Sequence, residues 1–227
     1  MLSTALDPGG APHLAAFGEA LRVSGEAKFA KAQLAGPVTV AAFTRADQVA
    51  ERVAAKGVVL CRSLLLAHVT PIIFLDEPGL SLGEFSTEPL ELVRRVVSEA
   101  GGLVGLHCCA QTRWADLLRM DFDVISLDAR LSLDALLEDR RAWLSFLERG
   151  GTLCLGIIPT NAGARYQVSE LCDSVEASLR ATTPAFEQAL SRMMLSPACG
   201  LVLHTPEEAA RISAEVRAAQ ARLRALL

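Results

Sequence analysis

The chain has 227 residues, enough for one domain with a sizeable core. Its apolar fraction of 51% suits a packed globule and argues against disorder. The 22 Lys and Arg against 26 Asp and Glu leave it mildly acidic, with no basic stripe to meet a phosphate backbone, so nucleic acid is not an expected partner. No run approaches the roughly 18 to 20 apolar residues that span a bilayer, so no membrane association is expected. Residues 1–12 lack the charged and apolar blocks of a signal peptide. A cytoplasmic protein is expected.

Helical character begins at residues 12–21. Apolar runs at 29–33 and 38–42 read as strands, followed by a helix at 45–56. A strand at 71–75, a helix at 87–100 and strands at 103–108 and 123–127 come next. The segment 133–149 places Leu133, Leu136, Leu137, Trp143, Leu144 and Leu147 near helical spacing, which predicts a core-facing helix stopped by Gly150-Gly151. A strand at 152–158, a helix at 168–190, a strand at 193–196 and a helix at 206–226 complete the series. The last helix opens on Thr205-Pro206-Glu207-Glu208, with an N-cap, a proline at N1 and a glutamate at N3.

Strands alternating with helices predict a parallel sheet, and strands rich in Val, Ile and Leu predict helices on both its faces. A doubly wound nucleotide-binding sheet is disfavoured, because no glycine-rich phosphate loop follows any strand. A barrel remains, but with about six strands where closure needs eight. No internal repeat, low-complexity tract or domain boundary stands out, so residues 1–227 are expected to form a single domain.

Polar residues collect where these strands run out: Asp76, then His107 and Cys109, then Asp128, then Cys199. The C-terminal ends of barrel strands form the active face, so these positions are expected to converge. In extended backbone His107 and Cys109 point the same way while Cys108 points elsewhere. An imidazole nitrogen and a thiolate on one face suit Zn²⁺, with Asp128 and Cys199 as candidate third and fourth ligands. A buried Cys pair beside a hydrogen-bonded histidine is the plainer alternative, and Asp128 alone can cap a helix. Cys108 and Cys109 are adjacent, Cys154 lies in an apolar strand-like run, and Cys61 and Cys172 fall in helical segments, which argues for buried thiols or metal ligands over disulfides.

Five motifs in order make the pattern recognisable: Leu34-Ala35-Gly36-Pro37-Val38-Thr39, Leu75-Asp76-Glu77-Pro78, Leu106-His107-Cys108-Cys109, Asp123-Val124-Ile125-Ser126-Leu127-Asp128 and Ser196-Pro197-Ala198-Cys199-Gly200-Leu201. The series resembles the C-terminal catalytic barrel of cobalamin-independent methionine synthase and its single-barrel relatives. It runs from about residue 30 into the last helix.

The resemblance implies a (β/α)₈ barrel lacking its first two strands, and zinc-dependent methyl transfer to a small, homocysteine-like thiol. It implies His107, Cys109, Asp128 and Cys199 as the zinc ligands. It gives Asp76 a catalytic role in gripping the substrate's amino group beside Glu77, and gives Phe43 a role in binding the cofactor that donates the methyl group.

The sequence departs from the family at four points. Asp128 stands where the family has Glu, and Phe43 where it has Trp. The stretch Gly156-Ile157-Ile158-Pro159-Thr160-Asn161 lacks the family's proton-donating His, which disfavours a methylfolate donor. Only about thirty residues precede Gly36-Pro37-Val38-Thr39, where family barrels carry two more strands; self-association or a completing chain is therefore expected. The competing readings are a non-catalytic zinc-binding barrel subunit that needs a partner, and a corrinoid-linked methyltransferase component. A uroporphyrinogen-decarboxylase-like enzyme needs no zinc and leaves His107, Cys109 and Cys199 unexplained.

Overall fold

In the computed structural model, six strands alternate with helices, and residues 12–161, 163–184 and 186–227 are described. The sequence expectation for residues 1–11 lies outside them. The chain divides into two compact units, one ending at Leu106 and one running from His107 to Leu227.

The first unit contains α1 (Pro12–Ser24), β1 (Phe29–Ala35), α2 (Pro37–Phe43), α3 (Val49–Leu65), β2 (Thr70–Asp76), a 3-10 turn (Pro78–Ser81), α4 (Glu88–Glu99) and most of β3 (Leu103–Cys108). β1 lies parallel to β2, with Phe29 opposite Thr70 and Ala35 opposite Asp76. The core of this unit is built on Ile73, Leu75, Leu90, Val93, Val97 and Val104, none of which exposes any surface. β2 is buried on both faces from Pro71 to Leu75, as the apolar run predicts.

The second unit contains α5 (Trp114–Arg119), β4 (Val124–Asp128), α6 (Ala129–Glu138), α7 (Arg140–Glu148), β5 (Thr152–Ile158), α8 (Val168–Thr182), α9 (Phe186–Ser191), β6 (Met193–Pro197) and α10 (Pro206–Arg224). Its strands follow the order β4-β5-β6, and β5 pairs in parallel with both neighbours. The register of β5 on β6 shifts between Gly156 and Ile158. Among the described residues the fold is α/β of the (β/α)₈ type with six strands, as expected from the sequence. Among the described residues, no helix is long and apolar enough to cross a membrane.

The helix expected at 45–56 is α3, shifted to Val49–Leu65, and α5 was not expected; three further segments differ for identifiable reasons. Residues 38–42 form the helix α2 and not a strand. Pro37 at its first turn has the φ a helix needs, and the Glu77 carboxylate holds the amides of Val38 and Thr39, which outweighs the β preference of Val38, Thr39 and Val40. The helix expected at 133–149 breaks into α6 and α7 at Asp139, whose carboxylate accepts from Ala142 N at 2.9 Å and so starts a new helix. The helix expected at 168–190 breaks into α8 and α9 beside Pro184, which has no N–H to continue the ladder. At that break Thr183 is buried and accepts from Trp143 Nε1 at 2.9 Å, which satisfies the one polar atom of the fully buried Trp143. The predicted capping box of α10 is present: Thr205 Oγ1 accepts from Glu208 N at 3.2 Å, and the Glu208 carboxylate accepts from Thr205 N at 3.0 Å.

Candidate metal centre

His107 is the penultimate residue of strand β3, and Cys109 follows just past its end. The alternation of extended backbone sends Cys108 the other way: it is fully buried, and its thiol donates to Ala110 O at 3.4 Å. His107 and Cys109 are both half-buried. On the neighbouring β4, the hydroxyl of Ser126 stands 3.0 Å from His107 Nδ1.

Cys199 arrives from the far side of the second unit through a close approach of two backbones. Beyond β6, Ala198 N donates to Ile158 O at 2.9 Å, which draws the exit of β6 across the end of β5. Gly156 makes this possible, because a Cβ there would meet Ala198 Cα at 2.5 Å. Cys199 is exposed and next to Ala198, and its sulfur joins the other two side chains: the ligand atoms of His107, Cys109 and Cys199 all lie within 4.8 Å of one another. Three of the sequence candidates are therefore brought together.

Asp128 ends β4 close by but is not in that triplet. Its Oδ1 accepts from Arg130 N at 2.9 Å and Leu131 N at 3.3 Å, capping α6. Burial pushes its carboxyl above the usual aspartate range, while those two amides and Arg130 pull the other way. Asp128 is nevertheless near enough to act on Cys109. Burial is the main cause that raises the Cys109 thiol, and repulsion from Cys199 and Asp128 adds to it. These acids oppose one another's ionisation, and a divalent cation reverses that opposition by stabilising each thiolate. One nitrogen and two sulfurs within tetrahedral reach are the donor types of a zinc site.

The first unit holds the remaining candidates. Asp76 ends β2, half-buried, and its Oδ2 accepts from Gln33 Nε2 at 2.7 Å. Burial raises its carboxyl, against the pull of Lys31 and Gln33. Glu77 is fully buried and its carboxylate is taken up by α2: Oε1 accepts from Val38 N at 3.0 Å, and Oε2 from Thr39 N at 2.7 Å and Thr39 Oγ1 at 2.6 Å. Thr39 Oγ1 in turn accepts from Gly79 N at 2.9 Å. The two motifs Gly36-Pro37-Val38-Thr39 and Asp76-Glu77-Pro78-Gly79 thus interlock. A Cβ at Gly36 would collide with the Glu77 carboxylate, and one at Gly79 would lie 2.8 Å from Thr39 Cα. Phe43, at the end of α2, is 74% exposed, so it is no part of the core.

Sequence reasoning missed Ser126 and Gly156. Ser126 stands two residues before Asp128 on a strand, so the same alternation that paired His107 with Cys109 puts it on Asp128's face. Gly156 gave the sole signal of a glycine inside a strand, which often marks a close backbone approach.

The family described as "Cobalamin-independent synthase, Catalytic domain" matches residues 11–221. The chain belongs to this family. Among solved structures it resembles in fold a B12-independent methionine synthase from Shewanella sp. W3-18-1, in complex with selenomethionine, at 16% identity and a TM-score of 0.60. That likeness covers 91% of this chain and 66% of the Shewanella chain, so the present chain spans less than two thirds of that protein. A putative lyase/mutase from Burkholderia cenocepacia J2315 shows a TM-score of 0.42 at 13% identity, over 89% of this chain and 80% of that one. No curated protein matches the chain. The group formed by His107, Cys109 and Cys199 therefore lies within a cobalamin-independent synthase catalytic domain.

Proposed function

We propose that this cobalamin-independent synthase domain transfers a methyl group to a small, homocysteine-like thiol, using a zinc ion held by His107, Cys109 and Cys199. The observation that carries the reading is the convergence of these three ligand atoms within 4.8 Å from two separate strand ends. Zinc supplies the deprotonation of a substrate thiol, which near pKa 8.5 is otherwise a weak nucleophile at neutral pH. Cys109 and Cys199 would hold the ion as thiolates, and their two negative charges would favour an electron-rich substrate sulfur. Asp128 would be the further, replaceable ligand, and a replaceable carboxylate suits a site that must admit substrate.

Asp76 takes the substrate's ammonium group, held in orientation by Gln33. Glu77 serves that role indirectly: by fixing α2 against the Pro78–Ser81 turn it sets the backbone on which Asp76 ends. In the reaction the thiolate sulfur forms a bond to the methyl carbon as the donor–methyl bond breaks, and the donor leaves with that electron pair. Residues 156–161 offer no histidine to protonate a folate, so a corrinoid or a simple methylated compound is the expected donor. Phe43, exposed at the end of α2, offers a ring on which a planar donor can stack.

The test is methylation of homocysteine by the zinc-loaded chain with methylfolate, methylcorrinoid and a methylsulfonium donor in parallel. Methionine formed with any one of them supports the reading, and none formed with all three contradicts it. The capping of α6 by Asp128 favours one second reading, a zinc-holding subunit without turnover. Zinc bound at full occupancy with no methylation would select it. Free, mostly buried cysteines fit a reducing cytoplasm. Among the described residues, no strand lies beside the outer edge of β1, and we expect a second copy or a completing chain to cover it.

A further inference from the structure

We propose that Ser126 is the positioning residue that fixes the tautomer of His107 and assigns Nε2, not Nδ1, to the metal. The inference rests on the zinc reading above and goes beyond it to how the histidine is presented. Ser126 is 5% exposed, between Ile125 and Leu127, which are fully buried. A hydroxyl placed that deep in an apolar strand needs a partner, and its Oγ lies 3.0 Å from His107 Nδ1.

A neutral imidazole has one N–H and one lone pair, so the nitrogen that ligates a metal forces the proton onto the other. With the metal on Nε2, Nδ1 carries the proton and donates it to Ser126 Oγ. A serine oxygen can accept as well as donate, so the contact survives metal binding. With alanine at 126, the Nδ1–H would lose this acceptor in a half-buried position. Metal-ligating histidines are commonly held through the second ring nitrogen in this way, and loss of such a partner typically weakens metal affinity about 10–100-fold.

The experiment measures zinc affinity by chelator competition for wild type, Ser126→Ala and Ser126→Thr, with imidazole ¹⁵N resonances of His107 recorded on the zinc-loaded wild type. The expected result is a loss of about 10–100-fold in Ser126→Ala, recovery to near wild type in Ser126→Thr, and a proton on Nδ1. Equal affinity in wild type and Ser126→Ala overturns the inference alone. So does a spectrum with zinc on Nδ1, which needs no variant to fold. Absence of zinc binding in wild type overturns the metal reading and this inference with it. A purely structural serine predicts lower thermal stability in Ser126→Ala with unchanged affinity of the folded fraction, and that outcome also counts against it.

Discussion

Gly156 and Ala198 approach so closely that a Cβ on residue 156 would stand 2.5 Å from Ala198 Cα and 3.0 Å from Leu127 O. Both neighbours are backbone, so neither can turn aside as a flexible side chain would. The contact sets the path of the chain into Cys199. Gly156→Ala is expected to cost about 1–3 kcal/mol of stability and to weaken zinc binding by moving Cys199. Urea denaturation and chelator competition measure the two. Unchanged values for both would mean that the exit of β6 is not held by this approach.

Asp128 combines a helix cap with a candidate ligand, and two variants separate these. Asparagine caps helices about as well as aspartate, whereas alanine costs about 1 kcal/mol. Asp128→Asn should therefore keep the stability of the metal-free chain while Asp128→Ala lowers it. Both should lose zinc affinity if the carboxylate ligates. Affinity intact in Asp128→Asn would leave the residue a cap only.

Glu77 gives the first unit a buried carboxylate whose ionisation burial opposes, pushing its pKa up despite the bonds from Thr39 and Val38 that pull it down. A carboxyl with a raised folded pKa contributes fully below its unfolded pKa, near 4.3, and that contribution is lost as pH rises through the folded value. The stability advantage of wild type over Glu77→Gln is therefore expected to shrink as pH climbs above the ordinary glutamate range. Glu77→Ala, which strips α2 of its acceptor, should cost about 3 kcal/mol or more, since hydrogen bonds to a charged group are worth about 1.5–3 kcal/mol each. Denaturation midpoints across that pH range check both statements. An advantage that widens with pH would contradict the first.

Asp76 is proposed to read the amino group of the substrate. Asp76→Asn should raise KM for homocysteine roughly 10–100-fold, the scale of one lost charge-assisted hydrogen bond, while leaving a thiol without an amino group unaffected. Steady-state methylation of the two thiols makes the comparison. An equal loss on both would place Asp76 elsewhere in the reaction.

The grouping of His107, Cys109 and Cys199 was legible because β alternation and strand-end placement are both one-dimensional signals. His107 and Cys109 two apart, and Cys199 after an apolar run, needed no knowledge of neighbours. The strand assigned to 38–42 failed because its competitor lies 38 to 39 residues away: the Glu77 carboxylate turns a β-rich segment into a helix. Glu77 was expected to bind substrate beside Asp76, and its hold on α2 was hidden for the same reason. Asp128's cap was readable locally as an alternative, since its partners are only two and three residues on. Ser126 and Gly156 matter through what faces them from another strand, which a single sequence does not contain.

The proposed function depends on a zinc ion held by His107, Cys109 and Cys199. Its most direct test is metal analysis of the chain purified with zinc present, wild type beside Cys199→Ser. One zinc per wild-type chain, with a clear loss of occupancy in the variant, is the predicted result. A folded wild-type chain that retains no zinc would contradict it.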